Sequence, residues 1–188
     1  MQILRAKDYK TMPWKNGMGS TTEIAIFPAS AKLDEFIWRV SMAQVKTDGP
    51  FSSFAGIDRT LLILEGEGLD LTVADQDAVR IDRNTQHFFP GDQPTSAVLI
   101  DGPIVDLNVM SCHRTVTQDV RRIKLSQNQD FIISTQTILF VERGDVEVVG
   151  TMPPVLLGVH DALMLDAETS EISLRAGEAT QVILIQFR

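Results

Sequence analysis

The residues with the most chemistry to offer lie near the N-terminus, in PWKNGMGSTTEI, residues 13–24. A Trp, a Lys, an Asn and two glycines precede a strand-like run. Gly17 and Gly19 permit positive φ and close backbone approach, and a glycine-containing turn can present successive N–H groups to an anion. Lys15 supplies positive charge and Asn16 a paired donor and acceptor. The order is not that of a P-loop, since the Lys precedes the glycines and no helix follows. The same residues also make an ordinary hairpin, with Asn-Gly at the turn and Trp14 as a core anchor. Taken alone, the segment leaves both possibilities open.

A second dense stretch is GPFSSFAGIDRTLLILEGEG, residues 49–68. As chemistry, Arg59 is a carboxylate-binding fork and Asp58 the residue that holds it. As structure, this is a loop anchored by Phe51 and Phe54 with a local Asp–Arg pair, worth little if exposed. An anionic ligand would account for Arg59, Arg39 and Lys15 together.

Strand alternation sorts the other candidates. Thr21 and Glu23 share a face; Arg39 and Ser41 oppose Trp38, Val40 and Met42; Asp106 and Asn108 oppose Val105, Leu107 and Val109. Three strands thus carry a polar stripe. It is either the solvated face of a sheet or the lining of a small barrel that admits one ligand. Both arrangements predict the same alternation.

The elements that must position these residues are short strands. Apolar or alternating runs recur through the chain, separated by turn sequences such as Asp48-Gly49-Pro50, Pro90-Gly91-Asp92, Asp101-Gly102-Pro103 and Arg143-Gly144-Asp145. No long stretch has a helical period, so an all-β barrel or sandwich is expected. A weak internal repeat at an offset of about 76 to 77 residues sets LLILEGEGLDLTV against ILFVERGDVEVVG and Asn108 against Leu184. No Pro- or Ser-rich linker separates the halves. The joint is expected in the polar region 115–129, dividing the chain into an N-terminal half, 1–114, with the ligand site, and a C-terminal half, 115–188, packed together as one compact unit.

Composition narrows the partners. The net charge of −8 in 188 residues repels phosphate backbones and anionic lipid, so neither nucleic acid nor a membrane surface is expected as partner. One cysteine, Cys112, excludes an internal disulfide and a cysteine-rich zinc site. No signal-peptide pattern or apolar run long enough to span a bilayer is present, and the expected location is the cytoplasm.

The stretches MPWKNGMGSTTEI, WRVSMAQV, DGPFSSFAGIDRTLLILEGEG and DGPIVDLNVM cover most of residues 12–110, and in them the chain resembles the HutD/Ves family of bacterial histidine-utilisation-associated proteins. The C-terminal half resembles that family only in strand pattern and length. The resemblance implies a bicupin, two tandem cupin-like β-barrel halves of jelly-roll type. It also implies a non-catalytic binder of a small anionic metabolite of histidine breakdown, formylglutamate-like, that restrains flux through the pathway. The motif positions carried over are Trp14, Lys15, Asn16, Gly17, Gly19, Thr21, Glu23, Arg39, Ser41, Asp58, Arg59, Asp106 and Asn108. A dicarboxylate needs at least two cations, and Lys15, Arg39 and Arg59 meet that count. Met18 departs from the family, whose members often carry a third small residue there.

Many cupins bind metal through an H-x-H pair, a Glu and a later His. His87, His113 and His160 include no such pair, and no metal or other cofactor is expected. The competing functions are a metal-independent isomerase, lyase or amidohydrolase with Glu23 or Asp106 as general base, and an interaction protein that uses its stripe or a sheet edge. A homodimer is one expected assembly.

Overall fold

A computed structural model describes residues 1–168 and 171–188. Apart from a one-turn 3-10 helix at Ala6–Asp8, the regular structure is strand. In chain order the strands are β1 (Gln2–Leu4), β2 (Lys10–Pro13), β3 (Gly19–Phe27), β4 (Trp38–Val45), β5 (Gly49–Pro50), β6 (Ile57–Glu65), β7 (Leu69–Val73), β8 (Val79–Ile81), β9 (Gln86–Pro90), β10 (Thr95–Leu99) and β11 (Ile104–Cys112). They continue with β12 (Gln118–Lys124), β13 (Asn128–Ile132), β14 (Gln136–Arg143), β15 (Val146–Val148), β16 (Val155–Leu157), β17 (Ala162–Leu165), β18 (Glu171–Ala176) and β19 (Gln181–Phe187). Among the described residues, no helix is long and apolar enough to cross a membrane.

The chain divides into two compact units, one of residues Lys10–Thr117 and the other of Met1–Tyr9 with Gln118–Arg188. The first holds a six-stranded sheet, β2-β3-β4-β11-β6-β9, and a four-stranded sheet, β5-β10-β7-β8. The second holds a five-stranded sheet, β1-β17-β14-β19-β12, and a four-stranded sheet, β13-β18-β15-β16. The order β4-β11-β6-β9 recurs as β12-β19-β14-β17, and the small sheets recur strand for strand. Asn108 pairs with Leu61 in one unit and Leu184 with Leu139 in the other, so the repeat is a repeat of register as well as topology. The sequence boundary grouped residues 1–9 with the N-terminal half; instead β1 pairs with β17, and those residues belong to the C-terminal unit.

In the Lys10–Thr117 unit, the two sheets meet over a core that includes Ala43, Val45, Leu61, Ile63 and Ile104 from one side and Leu69, Leu71, Val73 and Ala97 from the other. The opposite face of the large sheet, with Val40, Leu62, Leu107 and Val109, is also buried. That double burial is why β6 and β11 read as nearly continuous apolar runs, and it makes each inward polar residue conspicuous.

Candidate functional site

A cavity of about 700 Å³ lies within this unit. Its inner wall is the polar stripe: Arg39 and Ser41 from β4, Arg59 from β6, and Asp106 and Asn108 from β11 line it and are buried. Strand register explains the convergence. β11 runs between β4 and β6, and Met110 pairs with Arg39 on one side and Arg59 on the other. With neighbouring strands about 4.8 Å apart, two guanidinium groups rise from one wall roughly 10 Å apart at their backbones. One row further on, Asn108 pairs with Ser41, and Ser41 with Glu23 of β3. The rim carries Lys15, Asn16, Thr47, Asp48 and Pro50, all exposed. Apolar Trp14, Met18, Leu33, Phe51 and Phe54 lie along it.

Arg59 is held on every side. Its Nη2 donates to Asn108 Oδ1, and its Nη1 to the Ser52 carbonyl at 3.3 Å. The guanidinium lies 5.0 Å from the Phe51 ring, 5.1 Å from Phe89 and 5.9 Å from Phe54. Aromatic faces stabilise a cation more when it is desolvated, as here. Phe89 is the cross-strand partner of Arg59, a contact that local pattern does not foresee because β7 and β8 intervene between β6 and β9. Burial lowers the Arg59 pKa to about 10, with Asp106 acting against that and Arg39 reinforcing it. At neutral pH the group stays cationic.

Asn108 links Arg59 to Asp106, since its Nδ2 donates to Asp106 Oδ1. Asp106 has no exposed surface. Its Oδ2 and the Arg59 Nε are buried without a hydrogen-bond partner among the described residues. Burial raises the Asp106 pKa to about 7, against the opposing pull of Arg59 and the Asn108 hydrogen bond. Arg39 is fixed differently: its Nε donates to Glu23 Oε2 at 2.9 Å, with the Arg39 side chain 6% exposed and that of Glu23 27%.

The glycine-containing segment is a hairpin that also serves the cavity. Gly17 takes φ +72°, Asn16 Oδ1 accepts from Met18 N–H at 3.0 Å, and Trp14 and Gly19 close the turn. The Trp14 Nε1 donates to Thr21 Oγ1 at 2.8 Å, which fixes the indole as a wall of the cavity. Gly19 has to be glycine: a Cβ would stand 2.3 Å from the Gln44 carbonyl and 2.8 Å from the Trp14 ring.

Of the residues singled out in the sequence, Trp14, Lys15, Asn16, Thr21, Arg39, Ser41, Arg59, Asp106 and Asn108 line the cavity, whereas Gly17, Gly19, Glu23 and Asp58 do not. Gly17 and Gly19 shape the hairpin, and Glu23 acts on Arg39. Asp58 does not hold Arg59. Consecutive strand residues point to opposite faces, and Asp58 instead stands 3.7 Å from His113 Nδ1; Asn108 and Ser52 do the holding.

Comparison with known proteins agrees with this architecture. The HutD family model matches residues 6–184. The chain belongs to the HutD family. The association with histidine utilisation holds at that family level. An uncharacterised 21.2 kDa protein from the region 3′ of hutC in Pseudomonas putida is 32% identical over 175 residues, which cover 93% of this chain and 91% of that one. Protein Ves of Citrobacter koseri is 35% identical over 108 residues, 55% of this chain and 56% of that protein. Among solved structures, a conserved protein of unknown function from Pseudomonas aeruginosa superposes with TM-score 0.90 at 32% identity, covering 99% and 97% of the two chains. HutD from Pseudomonas fluorescens, solved in a formate condition, superposes with TM-score 0.83 at 34% identity, covering 100% and 98%. A nickel-bound bacterial pirin from Escherichia coli shares only the bicupin fold, with TM-score 0.73 at 11% identity and coverage of 98% and 97%. Among the described residues, no three His, Cys, Asp or Glu side chains form a metal-binding group.

Proposed function

We propose that this HutD-family chain is a non-catalytic cytoplasmic receptor for a small carboxylate metabolite of histidine breakdown, and that its occupancy restrains flux through that pathway. The observation that carries the proposal is the pair of buried guanidinium groups, Arg39 and Arg59, on one wall of a ligand-sized cavity. Burying two cations together is costly; Glu23 and Asp106 offset part of that cost, and a ligand carboxylate adds bidentate bonds to arginine. Ser41 and Asn108 lie one row further along the same wall for further hydrogen bonds. Formylglutamate, the ligand the family resemblance implies, has two carboxylates. One would sit on the inner wall and the other would reach Lys15 on the rim.

Titration calorimetry with N-formyl-L-glutamate tests this. The wild type should bind it, and Arg59→Met should weaken binding about 30-fold or more, the usual cost of removing one side of a desolvated charge pair. Absence of binding by folded wild-type protein would reject this ligand. One observation supports an enzyme instead: a carboxyl held near neutrality, as for Asp106, suits a general base. Its Oδ2 is buried and without a hydrogen-bond partner among the described residues, so the receptor is preferred. Turnover of ligand during the titration, lost in Asp106→Asn, would reverse that preference.

A further inference from the structure

We propose that capture of a carboxylate by Arg39 and Arg59 is coupled to protonation of Asp106, so that the anion enters together with one proton. The inference rests on the receptor proposal and concerns how that same site balances its charge. Two cations stand on the inner wall, and two carboxylates answer them: Glu23 bonds Arg39, and Asp106 reaches Arg59 through the Asn108 amide. With all four ionised, the wall is neutral before any ligand arrives. A ligand carboxylate would then leave a net negative charge in a buried place, which is costly.

Only one of the four groups is placed to give way. Glu23 has a direct arginine contact and 27% of its side chain in solvent. Asp106 has neither: it is wholly buried, only the Asn108 amide touches its Oδ1, and its Oδ2 has no donor. A bare lone pair sealed from water is where a proton costs least. The attraction of Arg59 favours the ionised form of Asp106 in the empty site without overcoming burial, and a bound anion would share that attraction and add repulsion. The other charged groups near the cavity are Lys15 and Asp48 on the exposed rim. His87 of β9 stacks on Phe89 and does not line the cavity, and the facing small sheet contributes no titratable residue to the lining. The value of about 7 for Asp106 puts the proton exchange within the ordinary range of pH.

The test is calorimetry with N-formyl-L-glutamate in buffers of differing ionisation enthalpy. Wild-type protein should take up about half a proton per ligand near pH 7 and close to one near pH 8, with affinity falling up to about tenfold per pH unit above that. Asp106→Asn keeps the shape of the neutral carboxyl, and it should bind with no proton uptake and with affinity level across the same range. Binding by the wild type without proton uptake overturns the coupling and leaves the receptor standing. No binding by folded wild type rejects the receptor and the coupling with it. Should Asp106→Asn fail to fold, the wild-type proton count decides alone.

Discussion

Asp106 shows how one residue can connect stability to ligand capture. Most buried carboxylates are paired so that folding lowers their pKa. Here burial wins, and the folded value of about 7 stands above the ordinary value near 3.9. The folded protein therefore binds more protons than the unfolded chain between those values. Its ligand-free stability should fall as pH rises through that window and level off above it. We expect a slope of order 1 kcal/mol per pH unit between about pH 5 and 6.5 from this group. Comparing urea unfolding of the wild type and Asp106→Asn across that range isolates it. Parallel stability curves for the two proteins would show that Asp106 does not titrate there.

The strands explain why one half of the repeat lines this cavity and the other places apolar core residues at the matching positions of β19. On β6 and β11, the polar inward positions of the first unit have apolar or small counterparts on β14 and β19 of the second. Asn108 and Leu184 hold the same place in register, Asp106 is matched by Val182, and Arg59 by Thr137. Leu184 and Val182 join a core with Leu139, Leu163, Leu165 and Leu174, all nearly without exposure. Swapping the counterparts should fail in both directions. Leu184→Asn places an amide among hydrocarbon and should cost about 2–4 kcal/mol in urea unfolding. Asn108→Leu strands Arg59 and Asp106 without their bridge and should cost about 1–3 kcal/mol. An unchanged midpoint for Leu184→Asn would mean that the second barrel is open enough to hydrate the amide. Much of this was legible beforehand. The alternation in WRVSMA and VDLNVM sorts these residues into the two faces that the sheet has, and the repeat anticipates the matching registers. What the sequence could not supply was long-range pairing. Phe89 reaches Arg59 only because β9 pairs with β6. Glu23 reaches Arg39 across a register shift between Glu23 and Ala25, which simple alternation does not foresee. Whether the stripe faced a lumen or solvent depended on a second sheet covering it, and no local pattern contains that.

At the scale of the whole chain, the notable feature is its path: it contributes a strand to one unit, builds the other, and returns. Residues 1–9 are fastened in the C-terminal unit by more than strand pairing. Gln2, Ile3 and Leu4 pair with Met164, Leu163 and Ala162, and Tyr9 Oη donates to the His160 carbonyl at 3.0 Å. Asp161 is the knot. It accepts from Arg5 Nη1 at 2.7 Å, Ala6 N–H at 2.8 Å and Gly158 N–H at 3.2 Å. Burial would push its carboxyl up, but the bonds from Ala6, Arg5 and Gly158 outweigh that and hold it below the usual range. Its contribution is therefore present above the unfolded carboxylate value and is lost as pH falls through the lower folded one. Asp161→Ala leaves the Ala6 and Gly158 N–H groups without their acceptor and Arg5 with only the Leu156 carbonyl, and should cost about 2–3 kcal/mol. For a chain of this size that is a fall of roughly 5–10 °C in Tm at neutral pH. The gap from wild type should narrow as pH falls below the ordinary carboxylate range and through the lower folded value of Asp161, where protonation weakens the same contacts in the wild type. Amide exchange of Ile3 and Leu163 should accelerate together in the variant, because the paired strands lose a common fastening. Unchanged exchange at those two amides, with an unchanged Tm, would show that strand pairing alone holds the N-terminal segment and that Asp161 adds nothing to it.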